Sequence, residues 1–463
     1  MERSILSSDV QDKGVLVDAV DLTSKLPNDL LIQILSNLSI EEAMRTSVMS
    51  HRWVDLWKET TMSHLHFDLR RFAKVRNPLS NTHHAARSMT KVINNHHGHL
   101  ERCTLFYYSY QCQNVMVQAW IRALIHEKRI KHLTLENFPC PFKPNVKPIT
   151  LDLPPSSFSH PNLESLILRR YNFETPHAFS NCCNLKNLTL STIFAEIEVF
   201  NVVLASCPSL EVLLVDIDCH TNSGHLKIEN RKLKFLYLSS YNIDGIEVSS
   251  PILEILTIGS LSCEMENLVV ANPRLHFHRN FWNTGKLFPH TSYNISCPDQ
   301  EKNSIGQEYI NMMDGSNDLM REFASLSVSV DLTNTKEVEM LQEVLVAWPG
   351  EMEELEILFK KSNAPMKQGK NSIGRINKKF WKETKPFPDA CFSVCTVWLF
   401  NFSGSKEEYK LASRLIRQGT VIRTMKIKPL LSYSPRTKLE IEGAITKLKE
   451  LPESHIELDI ILV

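Results

Sequence analysis

The residues of this 463-residue chain best equipped for chemistry are its 18 histidines and 11 cysteines. Cys182 and Cys183 are adjacent, and histidines gather at His83-His84 and at His96, His97 and His99. A zinc site needs several ligands at short, defined spacings, such as a Cys-x-x-Cys pair or two histidines at i and i+4 on one helix face. No Cys-x-x-Cys occurs, and the histidines lack nearby cysteine or carboxylate partners. They read as polar surface, and no metal is expected. GxxxxGK[ST], HExxH, GxSxG and the dinucleotide fingerprint are also missing, so phosphate, zinc-hydrolase, serine-hydrolase and nicotinamide chemistry lack their minimum geometry. An odd number of thiols without paired spacing fits reduced cysteines. Neither catalytic residues nor cofactors are therefore expected.

Lys plus Arg equals Asp plus Glu, 52 against 52, which leaves no net field to draw the molecule to nucleic acid or to an anionic membrane. No apolar run approaches the roughly 20 residues that span a bilayer, and the opening MERSILSSDVQDKG has no signal-peptide core. The expectation is an intracellular chain, nuclear or cytoplasmic or both, with neither nucleic acid nor membrane as a partner. Its length exceeds what one core normally serves, so several domains or an elongated repeat array must organise it.

Binding is then the chemistry to look for, and its densest signals lie in residues 21–67, after a polar tail over 1–20. The spacing predicts three short helices. Asn28 is placed to cap the first, which follows Leu26-Pro27 and carries Leu30, Leu31, Ile34, Leu35 and Leu38 on one broad stripe. Ser39 and Glu42 have the spacing of a capping box that opens the second. Ser50 is placed to cap the third, with Trp53, Leu56 and Trp57 on its apolar face. A unit this small cannot cover so much apolar surface by itself, which calls for a partner or an adjacent domain.

The spacing Leu26-Pro27, Asp29-Leu30, Ile34-Leu35, Leu38, Ala43, Arg45-Thr46-Ser47, Ser50, Arg52-Trp53 and Leu56-Trp57 resembles a plant-type F-box. Met49 departs from the usual leucine, a swap that conserves volume. The resemblance implies a module that binds a Skp-type adaptor and, through it, a cullin scaffold and a RING subunit, with ubiquitin-transfer chemistry in those other chains. Leu26, Pro27, Leu30, Ile34, Leu35, Leu38, Val48 and Trp53 are its implied adaptor-facing or module-fixing residues.

After a helical connector expected over 68–129, the phrase L-x-x-L-x-L returns through 130–282, as in NLESLILRRYNF, NLKNLTLSTIF and KLKFLYLSSYNI. Leu163, Leu185, Leu210, Leu233 and Leu253 step by 22, 25, 23 and 20 residues, inside the range of leucine-rich repeats. Cys182 and Cys183 fall at a repeat-core place. Such units bury their leucines only by stacking, and parity leaves His132, Thr134, Glu136, Arg169, Thr189, Asp216, Tyr237, Ser239 and Thr257 on a concave face. Their mixed charge, hydroxyl and aromatic chemistry suits a target protein or peptide better than a nucleic acid. A polar spacer is expected over 283–320, a further degenerate repeat over 321–359 and a solvated basic loop over 360–380. The remainder, 381–463, is similar to the FBD module that commonly closes plant F-box proteins with leucine-rich repeats.

The expected fold is α/β: a three-helix F-box, an irregular leucine-rich-repeat solenoid and a C-terminal α/β FBD cap. The expected function is target recruitment for a Skp/cullin/F-box ubiquitin ligase, by a subunit that is itself no enzyme. Two alternatives are an F-box scaffold acting without cullin, and a small-molecule-dependent receptor in which the ligand helps to bind the target.

Overall fold

The computed structural model describes residues 25–74, 78–108, 114–139, 149–220, 224–264, 267–271, 290–294, 325–347, 351–360, 393–417, 420–429, 435–451 and 458–463. The polar tail and, beyond Lys360, the basic loop lie outside them.

The F-box segment opens with helices α1 (Asn28–Leu35) and α2 (Ile40–Arg45), followed by single 3-10 turns at Thr46–Val48, His51–Trp53 and Leu56–Glu59. The capping box is present: Ser39 Oγ accepts from the Glu42 amide at 3.3 Å, and Glu42 Oε2 accepts from the Ser39 amide at 3.0 Å. Two expectations are corrected. Pro27, not Asn28, occupies the N-cap of α1, because the Asn28 side chain instead accepts a hydrogen bond from Arg52 Nε at 2.8 Å. The third helix is a pair of 3-10 turns, although Trp53, Leu56 and Trp57 all turn inward as their spacing required.

Beyond it, one sheet runs through the described chain. Its main path is β1 (Met62–Asp68), β2 (Leu100–Tyr108), β3 (His132–Phe138), β5 (Ser165–Arg169), β7 (Asn187–Ala195), β8 (Val212–Cys219), β10 (Phe235–Tyr241) and β12 (Ile255–Leu261), all parallel. It continues through β14 (His290–Asn294), β15 (Ser325–Val330), β16 (Glu351–Phe359), β17 (Ser393–Phe402), β18 (Val421–Pro429) and β19 (Asp459–Leu462). Two short strands, β4 (Ile149–Thr150) and β6 (Tyr171–Phe173), pair beside this path. β9 (His225–Glu229), β11 (Gly245–Ser249) and β13 (Leu268–Ala271) form a second parallel sheet from the segments that return between repeats. The repeat leucines Leu163, Leu185, Leu210, Leu233 and Leu253 are all buried, as stacking demands.

Several boundaries move. The sheet begins at Met62, inside the expected F-box range, and β2 joins it from the stretch expected as a helical connector, beside helices α3 (Pro78–Asn95) and α4 (Asn114–Arg122). Within the expected spacer, β14 pairs antiparallel with β12. The C-terminal module extends the same sheet by three parallel strands, so its cap-like end is the last strand of the array. Cys182 is core, as expected, but Cys183 points to solvent.

The antiparallel step at β14 has a topological consequence. Parallel strands joined by right-handed crossovers carry their connections on one face, and reversing strand direction while the array keeps advancing moves those connections to the other face. The packing agrees. Helices α3, α4 and α5 (Ile197–Ala205) pack with Leu133, Leu166, Leu188 and Leu213 on one side. Helices Thr335–Ala347, Lys406–Arg417 and Pro435–Lys449 pack with Leu326, Leu355, Val397 and Met425, in a core that also takes Val212, Phe235, Tyr237 and Ile255 from the opposite side of β8, β10 and β12. The face expected to be concave is therefore covered over its last strands.

One edge of the first half carries a charge ladder. The residues entering successive strands are Glu101, Lys131, Glu164, Lys186, Glu211, Lys234 and Glu254, each amide from Lys131 onward bonding to the carbonyl of the rung before it. Lys131, Lys186 and Lys234 pair with Glu101, Glu164 and Glu211 at 2.9, 3.0 and 3.0 Å. Opposite charges at directly facing positions favour this register over a slipped one.

Candidate functional site

The residues singled out in the F-box separate by orientation. Leu31, Leu35, Trp53, Leu56 and Trp57 point into the molecule, packing with Leu65 and the first repeats. Leu30 and Ile34 lie on the opposite side of α1, and Leu38, expected on the same helix, follows in the turn beyond its end; they are 45%, 48% and 37% exposed. Pro27 and Val48 are exposed, and Leu26 is half-buried against the core. Of the eight expected residues, Leu35 and Trp53 thus fix the module, while Pro27, Leu30, Ile34, Leu38 and Val48 form its outer surface. Sequence reasoning missed Met49 and Val54, which are also exposed. Arg52 explains why the opening pair and the later Arg-Trp pair belong together: it donates to Asn28 Oδ1 and to the Leu26 carbonyl, tying the third segment to the start of α1.

The histidine cluster does not behave as polar surface throughout. His96 is buried, with Nε2 2.9 Å from the Thr60 carbonyl, and burial holds its pKa below the ordinary imidazole value. The amides of His97 and Gly98 donate to the Lys58 carbonyl at 2.6 and 3.0 Å. These contacts clamp the end of the F-box onto the turn before β2. A Cβ on Gly98 would lie 2.0 Å from the Thr60 carbonyl oxygen and 2.9 Å from that of Glu59, both backbone atoms that cannot step aside alone. Gly98→Ala should therefore cost about 1–3 kcal/mol of stability, measured by denaturant unfolding; an unchanged midpoint would dismiss the clamp. Among the described residues, no group of three or more His, Cys, Asp or Glu side chains is arranged to hold a metal.

On the strand face the nine expected positions also divide. Tyr237, Ser239 and Thr257 are buried at 8%, 5% and 1% exposure, because the C-terminal core covers this part of the face. Glu136 is buried beneath Arg169 and Arg170, both of which pair with it. Asp216 is occupied locally: its Oδ2 accepts from the Thr192 amide at 3.0 Å and the Thr192 hydroxyl at 3.2 Å, holding a bulge where Thr192 has φ +54°. His132, Thr134, Arg169 and Thr189 remain partly open on neighbouring strands. The open strand face thus lies toward the F-box end.

The family model described as F-box domain matches residues 23–61, and that of the leucine-rich repeats of an FBD-associated F-box protein, At5g56370, matches residues 117–284. The chain is 47% identical over 452 residues to the F-box protein At1g80960 of Arabidopsis thaliana, covering 95% of this chain and 90% of the relative. It is 43% identical over 466 residues to F-box protein At3g60790 from the same plant, covering 99% and 93%. A putative F-box/FBD/LRR-repeat protein, At4g00315, is 26% identical over 249 residues, covering 52% and 53%. An F-box that shows its apolar stripe outward, followed by repeats of this spacing and by relatives matched along nearly their whole length, places the chain: it belongs to the plant F-box proteins with leucine-rich repeats and a C-terminal FBD module.

Proposed function

We propose that the chain recruits target proteins to a Skp/cullin/F-box ubiquitin ligase, holding a Skp-type adaptor through its F-box and a target through the open strand face of its first repeats. The carrying observation is the outward stripe Leu30, Ile34 and Leu38, with Val48, Met49 and Val54 exposed in the same small module, while the inward set is fully packed. Apolar side chains held in fixed positions on a packed module and left open to water are what a binding partner covers.

On this reading ubiquitin transfer resides in other chains, and the chain contributes proximity. One end is anchored on the ligase, the other holds the target, and target lysines meet ubiquitin at a raised local concentration. The clamp at Thr60, His96 and Gly98 makes the separation between the two surfaces reproducible. The test is reconstitution of the full chain with a Skp-type adaptor, a cullin and a RING subunit. The expected result is a stable complex eluting together in gel filtration; a chain that leaves every Skp homologue free in solution would sink the reading.

A further inference from the structure

The open part of the strand face holds an arginine cluster that the sequence pattern touched only at Arg169. Arg70, just past β1, grips Asp68 in a two-pronged contact, Nε to Oδ1 at 2.7 Å and Nη2 to Oδ2 at 2.9 Å. Its guanidinium lies over the rings of Phe106 and Phe138, 4.8 and 4.6 Å from their centroids, and Arg170 lies over Phe138 from another side at 4.7 Å. Arg169 and Arg170 share Glu136. Arg71 is 69% exposed and reaches Asp68 only at 3.9 Å. Arg102 is exposed and has no ion pair among the described residues. The Nε of Arg169 is buried without an acceptor among the described residues.

We propose that this face binds an acidic segment of the target polypeptide, with its Asp and Glu carboxylates taken by Arg71, Arg102, Arg169 and Arg170. The proposal rests on the reading that the open strand face receives the target, and it names the chemistry of what is received. Four arginines, Arg70, Arg71, Arg169 and Arg170, stand against the two carboxylates of Asp68 and Glu136, and Arg102 adds a further positive charge toward the start of β2, so the face keeps an excess of positive charge within a chain of zero net charge. Guanidinium forks match planar carboxylates in two-point hydrogen bonds. Glu136 holds Arg169 and Arg170 in place beforehand, and Phe138 lies under Arg170, so little freedom of these two side chains remains to be lost on binding. Arg70, Arg71, Arg169 and Arg170 extend from the end of β1 to the end of β5, three strand spacings or roughly 14 Å, and Arg102 lies four residues back along β2 from Phe106, roughly 13 Å toward the strand starts on the same face. That spread fits several spaced single charges along an extended peptide better than one compact phosphate. The neutral chain as a whole lacks the broad basic field that nucleic acid requires.

The test is selection of a displayed library of short random peptides against the purified full chain at low salt, with capture of a Skp-type adaptor measured in parallel. Peptides rich in Asp and Glu should be enriched. The affinity of a selected peptide should fall about tenfold or more in an Arg71→Glu/Arg102→Glu double variant, and should weaken as salt rises. Arg71 and Arg102 are exposed, so the double variant should keep the parent's melting temperature and its adaptor. Enrichment of neutral or basic peptides, binding that survives the double variant, or binding that demands phosphoserine in place of carboxylates would overturn the proposal. Adaptor capture without acidic-peptide binding removes this inference alone, whereas loss of adaptor capture in the parent chain removes the recruiting function whatever the peptides do.

Discussion

An Ile34→Asp variant should melt as the parent chain does yet bind a Skp-type adaptor about a hundredfold more weakly, while Leu35→Asp, one residue further on, should unfold the F-box. The contrast follows from orientation. Ile34 is 48% exposed on the outer stripe of α1, and Leu35 is 0% exposed in the core shared with the repeats. A carboxylate at position 34 stays hydrated in the free chain and loses that hydration only when a partner covers the stripe. Placing an ionised group at the centre of an interface commonly costs about 2–4 kcal/mol or more. At position 35 the charge would be buried in the folded chain itself, at a cost of several kcal/mol. Calorimetric titration of adaptor into each variant, beside its thermal melting curve, separates the two effects. Full retention of the adaptor by Ile34→Asp would remove α1 from the binding surface.

The same pair of neighbours shows what was legible in the sequence. A stripe of leucines at helical spacing reveals that α1 is amphipathic and broad, but not which edge of a broad stripe meets its own molecule. That division depends on where Leu65 and the first repeats pack. The Ser39–Glu42 capping box was readable because both partners lie within four residues. Asn28 was not, because Arg52, which takes its oxygen, comes from another segment. Trp53, Leu56 and Trp57 turn inward whether their backbone forms one α-helix or two 3-10 turns, so apolar spacing could not choose between these geometries. Strands β1 and β2 hid behind histidines and charges: His64, His66 and Arg102 lie on the open side of the sheet and break the apolar run. The Glu–Lys ladder was written in the residue after each leading leucine, or after Ile130 in one repeat, but its members are 20 or more residues apart and meet only once the register is known. The exchange of covered faces was beyond pattern reading. Alternation with period two separates the sides of a strand without revealing the strand's direction, and β14, where direction reverses, reads HTSYN.

Glu356→Gln should stabilise the chain increasingly as pH rises from about 4.5 to about 8. Strand register places Glu356 between Ser327 and Trp398, in the row that continues from Leu256 through β14. Only 2% of the residue is exposed, and its Oε2 has no hydrogen-bond partner among the described residues. Burial pushes the carboxyl pKa up from 4.5 to about 8, outweighing the hydrogen bond from Ser327 that favours the charged form. The folded state therefore holds this proton more tightly than the unfolded chain does. A raised folded-state pKa gives a contribution fully present below the unfolded value of 4.5 and lost as pH climbs through about 8. Complete loss would amount to at most about 4–5 kcal/mol, taking 1.36 kcal/mol per pKa unit. The glutamine amide of the variant has no proton to lose, so the variant's unfolding midpoint should lack this slope, and the gap between the two chains should widen across the window and level off above it. Denaturant unfolding of both chains at a series of pH values reads the gap directly. Parallel curves would mean that the carboxylate is hydrated in the folded chain, and that this row of the sheet lies open to water where the packing has it closed.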